Sequence, residues 1–324
     1  MPIPDETRLL AFGFLATAEA LHDAKLDASE IGRWKIGCTV SASKPNLYLK
    51  ADQGNFFNTN IEEQLSKIFR FTGPCQNIVA ACATGANSLM VGADWIREGV
   101  CDIVVCGACE SSFHSLYISG FRQLGVLTES IVRPFDMDRD GFAPGEGSGI
   151  LVLERKDRAM LRGAHIYGAL KGSTMAIDST DTVSLNSNGK TIAGAIERTL
   201  ELSKIEIPGY INAHGTATQL NDRAETAAIK TVFGKNSKKI PVSSTKAATG
   251  HLLGASGAVE IAFSLLSLRD NIIPPTLNYK TPDPELDLNY VPNAAQRTQI
   301  NTAMSLSFGF GGQIGVSIFE RGVK

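Results

Sequence analysis

The feature of this sequence that most constrains its fold is an order of apolar strands and amphipathic helices that occurs twice. In the first half the residue pattern predicts helices at 9–24, 61–69 and 82–97 and strands at 35–40, 77–80, 102–106 and 149–154. In the second half it predicts strands at 166–177, 210–213, 241–243, 302–307 and 314–319 and helices at 192–202, 221–233 and 255–268. Such alternation is typical of an α/β fold around buried sheets. We therefore expect two similar halves, 1–155 and 156–324, each ending in a strand pair.

The composition excludes several classes of protein. Lys and Arg (31) nearly balance Asp and Glu (33), which argues against a dedicated nucleic-acid binder, and 43% hydrophobic residues argue against disorder. The longest uncharged run, 71–93, is interrupted by Gly, Pro, Gln, Asn and Thr, so we expect no membrane span. Acidic residues near the N-terminus are atypical of a signal peptide, and a cytoplasmic location is the expectation.

Three of the six cysteines have a spacing that resembles a metal site. Cys101, Cys106 and Cys109 follow the C-x4-C-x2-C pattern of plant-type iron–sulfur proteins, but no cysteine follows Cys109 to complete the ligand set. The surrounding segment DIVVCGA is typical of a buried strand, where free cysteine packs as a small apolar side chain. The sequence therefore predicts no metal site here.

Cys82 lies between a predicted strand and a predicted helix, in the segment NIVAACATGANSLMVGADWI. A thiol at a helix N-terminus is close to unpaired N–H groups and to the positive end of the helix dipole, which favour the thiolate. A sharp strand-to-helix turn also leaves N–H groups free to hold an oxyanion. The alternative is a buried structural cysteine, and the rest of the chain bears on this choice.

His214 and His251 lie at strand–loop junctions rich in Gly, Ser and Thr, where small residues let a substrate approach the backbone. The segment SLSFGFGGQIGV, with four glycines, is typical of a tight turn that faces a ligand. A thiolate with two imidazoles suits acyl transfer followed by stabilisation of negative charge on a second substrate. A zinc site lacks a fourth ligand here, and a papain-like hydrolase leaves the second histidine unexplained.

Whole motifs of the chain resemble those of the elongating β-ketoacyl-ACP synthases, the ketosynthase I and II type of the thiolase superfamily. They are ACATG around Cys82, RPFDMDRDGFAPGEGSGILVLE from 133, NAHGTAT from 212, SSTKAATGHLLGASGAVE from 243 and SFGFGG from 307, in family order. The resemblance implies a thiolase-like, five-layered αβαβα fold with duplicated halves. A thiolase would have a second, C-terminal cysteine, and ketosynthases of the third type have Asn in place of His251.

The resemblance also implies the function and the roles of individual residues. Cys82 would accept the acyl group, and His214 and His251 would assist the decarboxylation of malonyl-ACP before a Claisen condensation. Lys246 would orient the histidines, with support from Glu260. No cofactor is implied, because both substrates arrive on the phosphopantetheine arm of acyl carrier protein. The N–H groups of Cys82 and Phe310 would bind the oxyanion. Phe308 and Phe310 would gate the acyl pocket. Thr216 and Thr218 would contact the phosphopantetheine arm.

The chain departs from the family pattern in its first half. It begins at the first helix, without the usual opening strand, and the stretch 41–60 is shortened, which leaves a sheet edge that needs cover. The strand at 77–80 resembles the family strand that pairs across a twofold axis, which implies a homodimer or a pair with a second ketosynthase-like subunit. A fatty-acid, polyketide or polyene pathway is compatible with these features. The alternative function is a non-catalytic partner of chain-length-factor type, although such partners usually lose the nucleophile.

Overall fold

The computed structural model describes residues 5–45, 60–180 and 188–322. Its helices are α1 (Asp5–Asp23), α2 (Ala28–Ile31), α3 (Ile61–Phe69), α4 (Thr84–Arg97), α5 (Ser115–Gln123), α6 (Lys156–Leu161), α7 (Lys190–Ser203), α8 (Gln219–Phe233), α9 (Lys246–Thr249) and α10 (Ser256–Asp270). Its strands are β1 (Ile36–Ser41), β2 (Ile103–Glu110), β3 (Gly147–Glu154), β4 (Gly168–Ile177), β5 (Ile211–Asn212), β6 (Val242–Ser243), β7 (Ile272–Ile273), β8 (Gln296–Arg297), β9 (Thr302–Gly309) and β10 (Gln313–Arg321). Most of the stretch predicted to be shortened, 46–59, lies outside the described residues.

The two main sheets share one pattern of strand pairing. Within the described ranges, the first sheet has the order β1-β2-β3 and the second the order β4-β10-β9-β5-β6. β1 is parallel to β2, which is antiparallel to β3, and the same pattern joins β5, β9 and β10. This repetition confirms the predicted duplication. β4 pairs with the free side of β10, whereas no described strand pairs with the corresponding side of β3.

Helices lie between and outside the two sheets, which gives the five layers that the resemblance implied. α4 and α10 form the central layer, in contact with each other and with both sheets. α1 and α3 cover the outer face of the first sheet, and α7 covers the outer face of the second and packs against α8. Among the described residues, no helix is both long enough and apolar enough to cross a bilayer. The boundary between the halves at 155 remains a prediction.

The central helices approach each other at their first turns through small residues. A Cβ added at Gly85, in α4, would lie 2.8 Å from the backbone nitrogen of Ala258 in α10. A Cβ added at Gly257 would lie 2.9 Å from the backbone nitrogen of Ala86. Both distances are shorter than real Cβ contacts, so only glycine allows this crossing. The crossing brings together the two segments that precede α4 and α10.

The predicted strand at 77–80 is not a strand in the structure. Residues slightly earlier in the chain run beside β1 instead, and Cys75 forms a parallel bridge with Cys38. The Cys38 N–H donates to the Pro74 carbonyl, and the Cys38 carbonyl accepts from the Gln76 N–H. The ladder then ends, because the backbone N–H of Ile78 donates to the Ser41 hydroxyl, at 2.8 Å, rather than to a backbone carbonyl. The sequence prediction was wrong in register, since it could not detect this competing side-chain acceptor.

A buried arginine anchors the loop before β3 to the second half. The side chain of Arg139 is fully buried and its guanidinium lies 2.8 Å from the carboxylate of Asp283 and 3.9 Å from that of Asp222. It also donates to the backbone carbonyl of Asp136, at 2.8 Å. The motif RPFDMDRDGF therefore holds the halves together through a charge that is compensated inside the protein.

We predict that Arg139→Met lowers the free energy of unfolding by about 3–5 kcal/mol, because it leaves the buried Asp222 carboxylate without a cation. The measurement is urea unfolding followed by circular dichroism. Arg155→Met, which breaks an exposed ion pair with Asp157, is the matched control and should leave the transition unchanged. Equal effects of the two substitutions would contradict the anchoring role of Arg139.

Candidate active site

Cys82 lies on a strained turn that leads into α4. The turn is a 3-10 helix, Ala81–Ala83, and Ala81 has a φ of 47°, which costs a non-glycine residue about 1–2 kcal/mol. The Thr84 hydroxyl holds the turn by accepting from Ala80 N–H, at 3.0 Å, and donating to the Ala81 carbonyl, at 2.7 Å. Gly309, at the end of β9, lies against the same turn. The helix start predicted for Cys82 is confirmed.

His251 precedes a second turn of the same kind. Leu253–Ala255 form a 3-10 helix that leads into α10, and Leu253 has a φ of 48°. The Leu253 N–H donates to Nδ1 of His251, at 3.3 Å, and the Ser256 hydroxyl lies 2.9 Å from the same atom. Because a backbone N–H only donates, Nδ1 is an acceptor and the neutral ring has its proton on Nε2.

His214 is fixed at the end of β5 by two ionisable side chains. Its backbone N–H and that of Gly215 donate to the two carboxylate oxygens of Glu225, at 2.7 and 2.8 Å. Lys246 Nζ lies 3.3 Å from His214 Nδ1 and donates to the His214 carbonyl and to Glu260, both at 2.5 Å. An ammonium group only donates, so the proton of neutral His214 is also on Nε2.

Burial sets the protonation states of these groups. Burial, with the nearby positive charge of Lys246, holds the pKa values of His214 and His251 well below the usual value for histidine. Burial raises the pKa of Glu260 to about 7, although Lys246 opposes this effect. Burial also raises the pKa of the Cys82 thiol to about 11, so burial outweighs the thiolate preference expected at a helix start. At neutral pH the site holds neutral imidazoles and a thiol.

The structure brings seven of the nine predicted site residues to one cavity, of about 300 Å³. The ring centroids of His214 and His251 are 5.4 Å apart, and those of His214 and Phe308 are 5.3 Å apart. Lys246 and Glu260 do not line the cavity and lie behind His214, where they are buried. The seven lining residues are Cys82, His214, Thr216, Thr218, His251, Phe308 and Phe310.

Sequence reasoning missed several side chains around this site, and three of them contact His214 or His251. Glu225 holds the backbone of His214, Ser256 contacts His251, and the ring of Phe142 packs edge-on against His251 with centroids 4.8 Å apart. Each of them lies in a motif or helix whose pattern is equally typical of structural packing. Their spacing from the histidines gave no signal that could separate the two roles.

The three cysteines with the iron–sulfur spacing are buried in the structure. Cys106 and Cys109 lie on β2 and are fully buried among apolar residues, and Cys101 is buried just before that strand. In the parts of the chain that the structure describes, no group of three or more His, Cys, Asp or Glu is placed to hold a metal ion. These cysteines are core residues of the first sheet, as predicted.

Two family profiles match the chain. The profile of the Beta-ketoacyl synthase, N-terminal domain, matches residues 7–159, and that of the Beta-ketoacyl synthase, C-terminal domain, matches residues 167–280. Together with Cys82 on a strained turn and two buried histidines in one cavity, these matches define the class. The chain belongs to the β-ketoacyl synthases.

Individual relatives agree with this assignment. The 3-oxoacyl-[acyl-carrier-protein] synthase 2 of Synechocystis sp. is 37% identical, over 94% of this chain and 79% of the relative. The tetracenomycin polyketide synthase ketoacyl synthase alpha subunit of Streptomyces glaucescens is 33% identical, over 97% of this chain and 81% of the relative. The protein is thus a condensing acyltransferase, similar to enzymes of fatty-acid and polyketide synthesis.

Solved structures support the same fold. A type II polyketide synthase ketosynthase, bound to the hexaketide in complex with its acyl carrier protein, matches with a TM-score of 0.93 and 32% identity, over 99% of this chain and 86% of that chain. The ishigamide ketosynthase/chain length factor matches with a TM-score of 0.89 and 29% identity, over 100% of this chain and 84% of that chain. The fold is therefore thiolase-like.

We predict that Gly309→Ala lowers the free energy of unfolding by about 1–3 kcal/mol, because the new methyl group overpacks the Cys82 turn. Its Cβ would lie 2.6 Å from the Ala80 carbonyl and 3.0 Å from Cys82 N. Gly194→Ala, at an exposed position of α7 with open space around it, is the control and should be neutral or stabilising. Chemical denaturation of both variants gives the comparison, and a loss of stability in the control alone would refute the packing argument.

Proposed function

We propose that this β-ketoacyl synthase transfers an acyl group from acyl carrier protein to Cys82 and condenses it with malonyl-ACP. The observation that carries the proposal is the shared cavity of Cys82, His214 and His251, in which both imidazoles have Nδ1 occupied and Nε2–H as their donor. A thiol and two fixed, neutral donors meet the needs of a thioester intermediate and an enolate.

The first step is acyl transfer. The Cys82 sulfur forms a bond to the acyl carbon, the bond from that carbon to the phosphopantetheine sulfur breaks, and the Cys82 thiol proton passes to the leaving thiol. The developing oxyanion is held by the N–H groups of Cys82 and Phe310, since a strained turn can present backbone donors without cost during the reaction. Neither imidazole is required for this step.

The second step is decarboxylative condensation. The malonyl carboxylate leaves as carbon dioxide and its electron pair forms an enolate, whose oxygen accepts from Nε2–H of His214 and His251. The enolate carbon then attacks the Cys82 thioester, the carbon–sulfur bond breaks, and the Cys82 sulfur takes up a proton. Donors in a dry site stabilise this charge more than water does, and the burial of both histidines supplies that environment.

The remaining predicted residues support these steps in the proposal. Lys246, compensated by Glu260, fixes the tautomer of His214. The hydroxyls of Thr216 and Thr218, 2.9 Å apart at the cavity, bind the phosphopantetheine arm. Phe310, half-buried and stacked on Phe121 with centroids 6.4 Å apart, gates the acyl pocket together with Phe308.

No bound cofactor takes part in the proposed reaction, and we place the reaction in the cytoplasm on the sequence argument. A non-catalytic subunit of chain-length-factor type is the alternative function. The intact Cys82 and the oriented histidines count against it, because a subunit that only shapes a tunnel has no use for them. Activity of the purified chain without any second ketosynthase-like subunit would exclude that alternative.

We predict that two substitutions separate the two steps. Cys82→Ala abolishes acylation and condensation but retains malonyl decarboxylation, because the histidines remain. His251→Ala retains acylation, while condensation falls by about a hundredfold or more, the usual effect of losing one oxyanion donor. Intact-protein mass spectrometry with acyl-ACP measures the first step, and release of labelled carbon dioxide from malonyl-ACP measures the second.

The unsubstituted enzyme with both substrates is the reference for these variants. If it shows neither acylation at Cys82 nor condensation with several acyl carrier proteins, the proposed function is wrong. If His251→Ala stops acylation and spares decarboxylation, the function stands but the division of roles between the residues is wrong.

We also propose that the chain is a dimer, formed through residues 77–80 with a second copy or with another ketosynthase-like subunit. This segment follows Cys75, which bridges to Cys38 at the edge of the first sheet, and Val79 in it is 64% exposed. An apolar side chain on an unpaired edge favours association.

We predict a dimer at micromolar concentration by light scattering, and Val79→Lys should shift the protein toward monomer by adding a charge to the interface. Lys67→Ala, a change at an exposed side chain of α3, is the control. A stable monomer with full condensing activity would count against the dimer, as would a Val79→Lys variant of unchanged mass.

A further inference from the structure

Glu110 is a buried carboxylate close to the site, and neither the motifs nor the mechanism above assigns it a role. It lies at the end of β2 and is 1% exposed. Its Oε2 atom accepts from the backbone N–H of Gly254, at 2.9 Å, and from the Ser43 hydroxyl, at 2.5 Å. Lys44 Nζ lies 3.2 Å from the same oxygen.

Gly254 belongs to the turn that orients His251. The preceding residue, Leu253, has a φ of 48° and donates its N–H to His251 Nδ1. A Cβ at Gly254 would lie 2.5 Å from the Ser43 Cβ and 2.7 Å from Glu110 Oε2, so the turn is packed directly against both side chains. A strained turn persists only when its surroundings hold it, and Glu110 supplies the acceptor for its N–H group.

We propose that Glu110 is a positioning residue for His251. By holding Gly254 N–H it keeps Leu253 in the conformation that donates to Nδ1, and so keeps the His251 proton on Nε2. Without that donor, Nδ1 would retain the Ser256 hydroxyl, which accepts as readily as it donates, and the proton could occupy either ring nitrogen. The inference deepens the proposed function and rests on it.

Lys44 is the counter-ion that allows this carboxylate to be buried. Its side chain is 20% exposed, whereas that of Glu110 is 2% exposed, and an uncompensated charge in such a place is strongly unfavourable. The positive charge of Lys44 also contributes, after burial and Lys246, to the lowered pKa of His251. Lys44 thus acts on His251 through Glu110 and through its own charge.

The test compares Glu110→Ala with Glu110→Gln, whose amide oxygen can still accept from Gly254 N–H. Two-bond ¹H–¹⁵N spectra of protein labelled at histidine report the tautomer of His251, and His251→Ala identifies its signals. Glu110→Ala should show mixed tautomers, and malonyl decarboxylation roughly tenfold to a hundredfold slower, with acylation of Cys82 within about threefold of the unsubstituted rate. Glu110→Gln should restore the single tautomer, and Lys44→Met should change decarboxylation in the same direction as Glu110→Ala.

Glu154→Ala is the matched control. The Glu154 side chain is also largely buried, and its carboxylate accepts a hydrogen bond from Arg162 at the opposite end of the first sheet. This substitution should leave the His251 tautomer unchanged. A single Nε2–H tautomer in Glu110→Ala, or equal losses of acylation and decarboxylation, would overturn the positioning role. If the unsubstituted enzyme is inactive with carrier-bound substrates, the proposed function fails, while the spectra still decide whether Glu110 orients His251.

Discussion

The close crossing of α4 and α10 is the constraint on which the rest of the structure depends. Gly85 and Gly257 let the two helices meet at their first turns, where any larger residue would collide with backbone. Because the strained turns of Cys82 and Leu253 lead directly into these helices, the crossing fixes Cys82 beside the segment that contacts His251. Duplication of one half-fold thus produces a site that belongs to neither half alone.

Burial of this junction determines its chemistry. The same loss of water that favours thiol over thiolate at Cys82 keeps both histidines neutral, so that their N–H groups can act as fixed donors. It also requires every buried charge to have a partner. Lys246 is paired with Glu260, and Glu110 with Lys44, and each pair holds the surroundings of one histidine. Stability and reactivity therefore rest on the same compensated charges.

Much of the architecture could be predicted from the chain's periodicity. The α3 bounds agree residue for residue, and α4, α7, α8, α10, β9 and β10 differ by a few residues from the prediction. The short surface helices α5 and α6 were missed; they bury almost no side chains. The strand at 77–80 was misplaced because a polar side chain, Ser41, intercepts an N–H that a ladder would use.

The sequence by itself determined the duplicated order of elements, the β-ketoacyl synthase class and the residue types of the site. These follow from local patterns: apolar periodicity, glycines at turns, and motifs that hold Cys82, His214 and His251. Only the tertiary structure decided the tautomers, the protonation states and the contacts of Glu110. The reason is that these properties depend on burial and on hydrogen bonds between distant segments, such as Glu110 with Gly254, 144 positions apart in the chain.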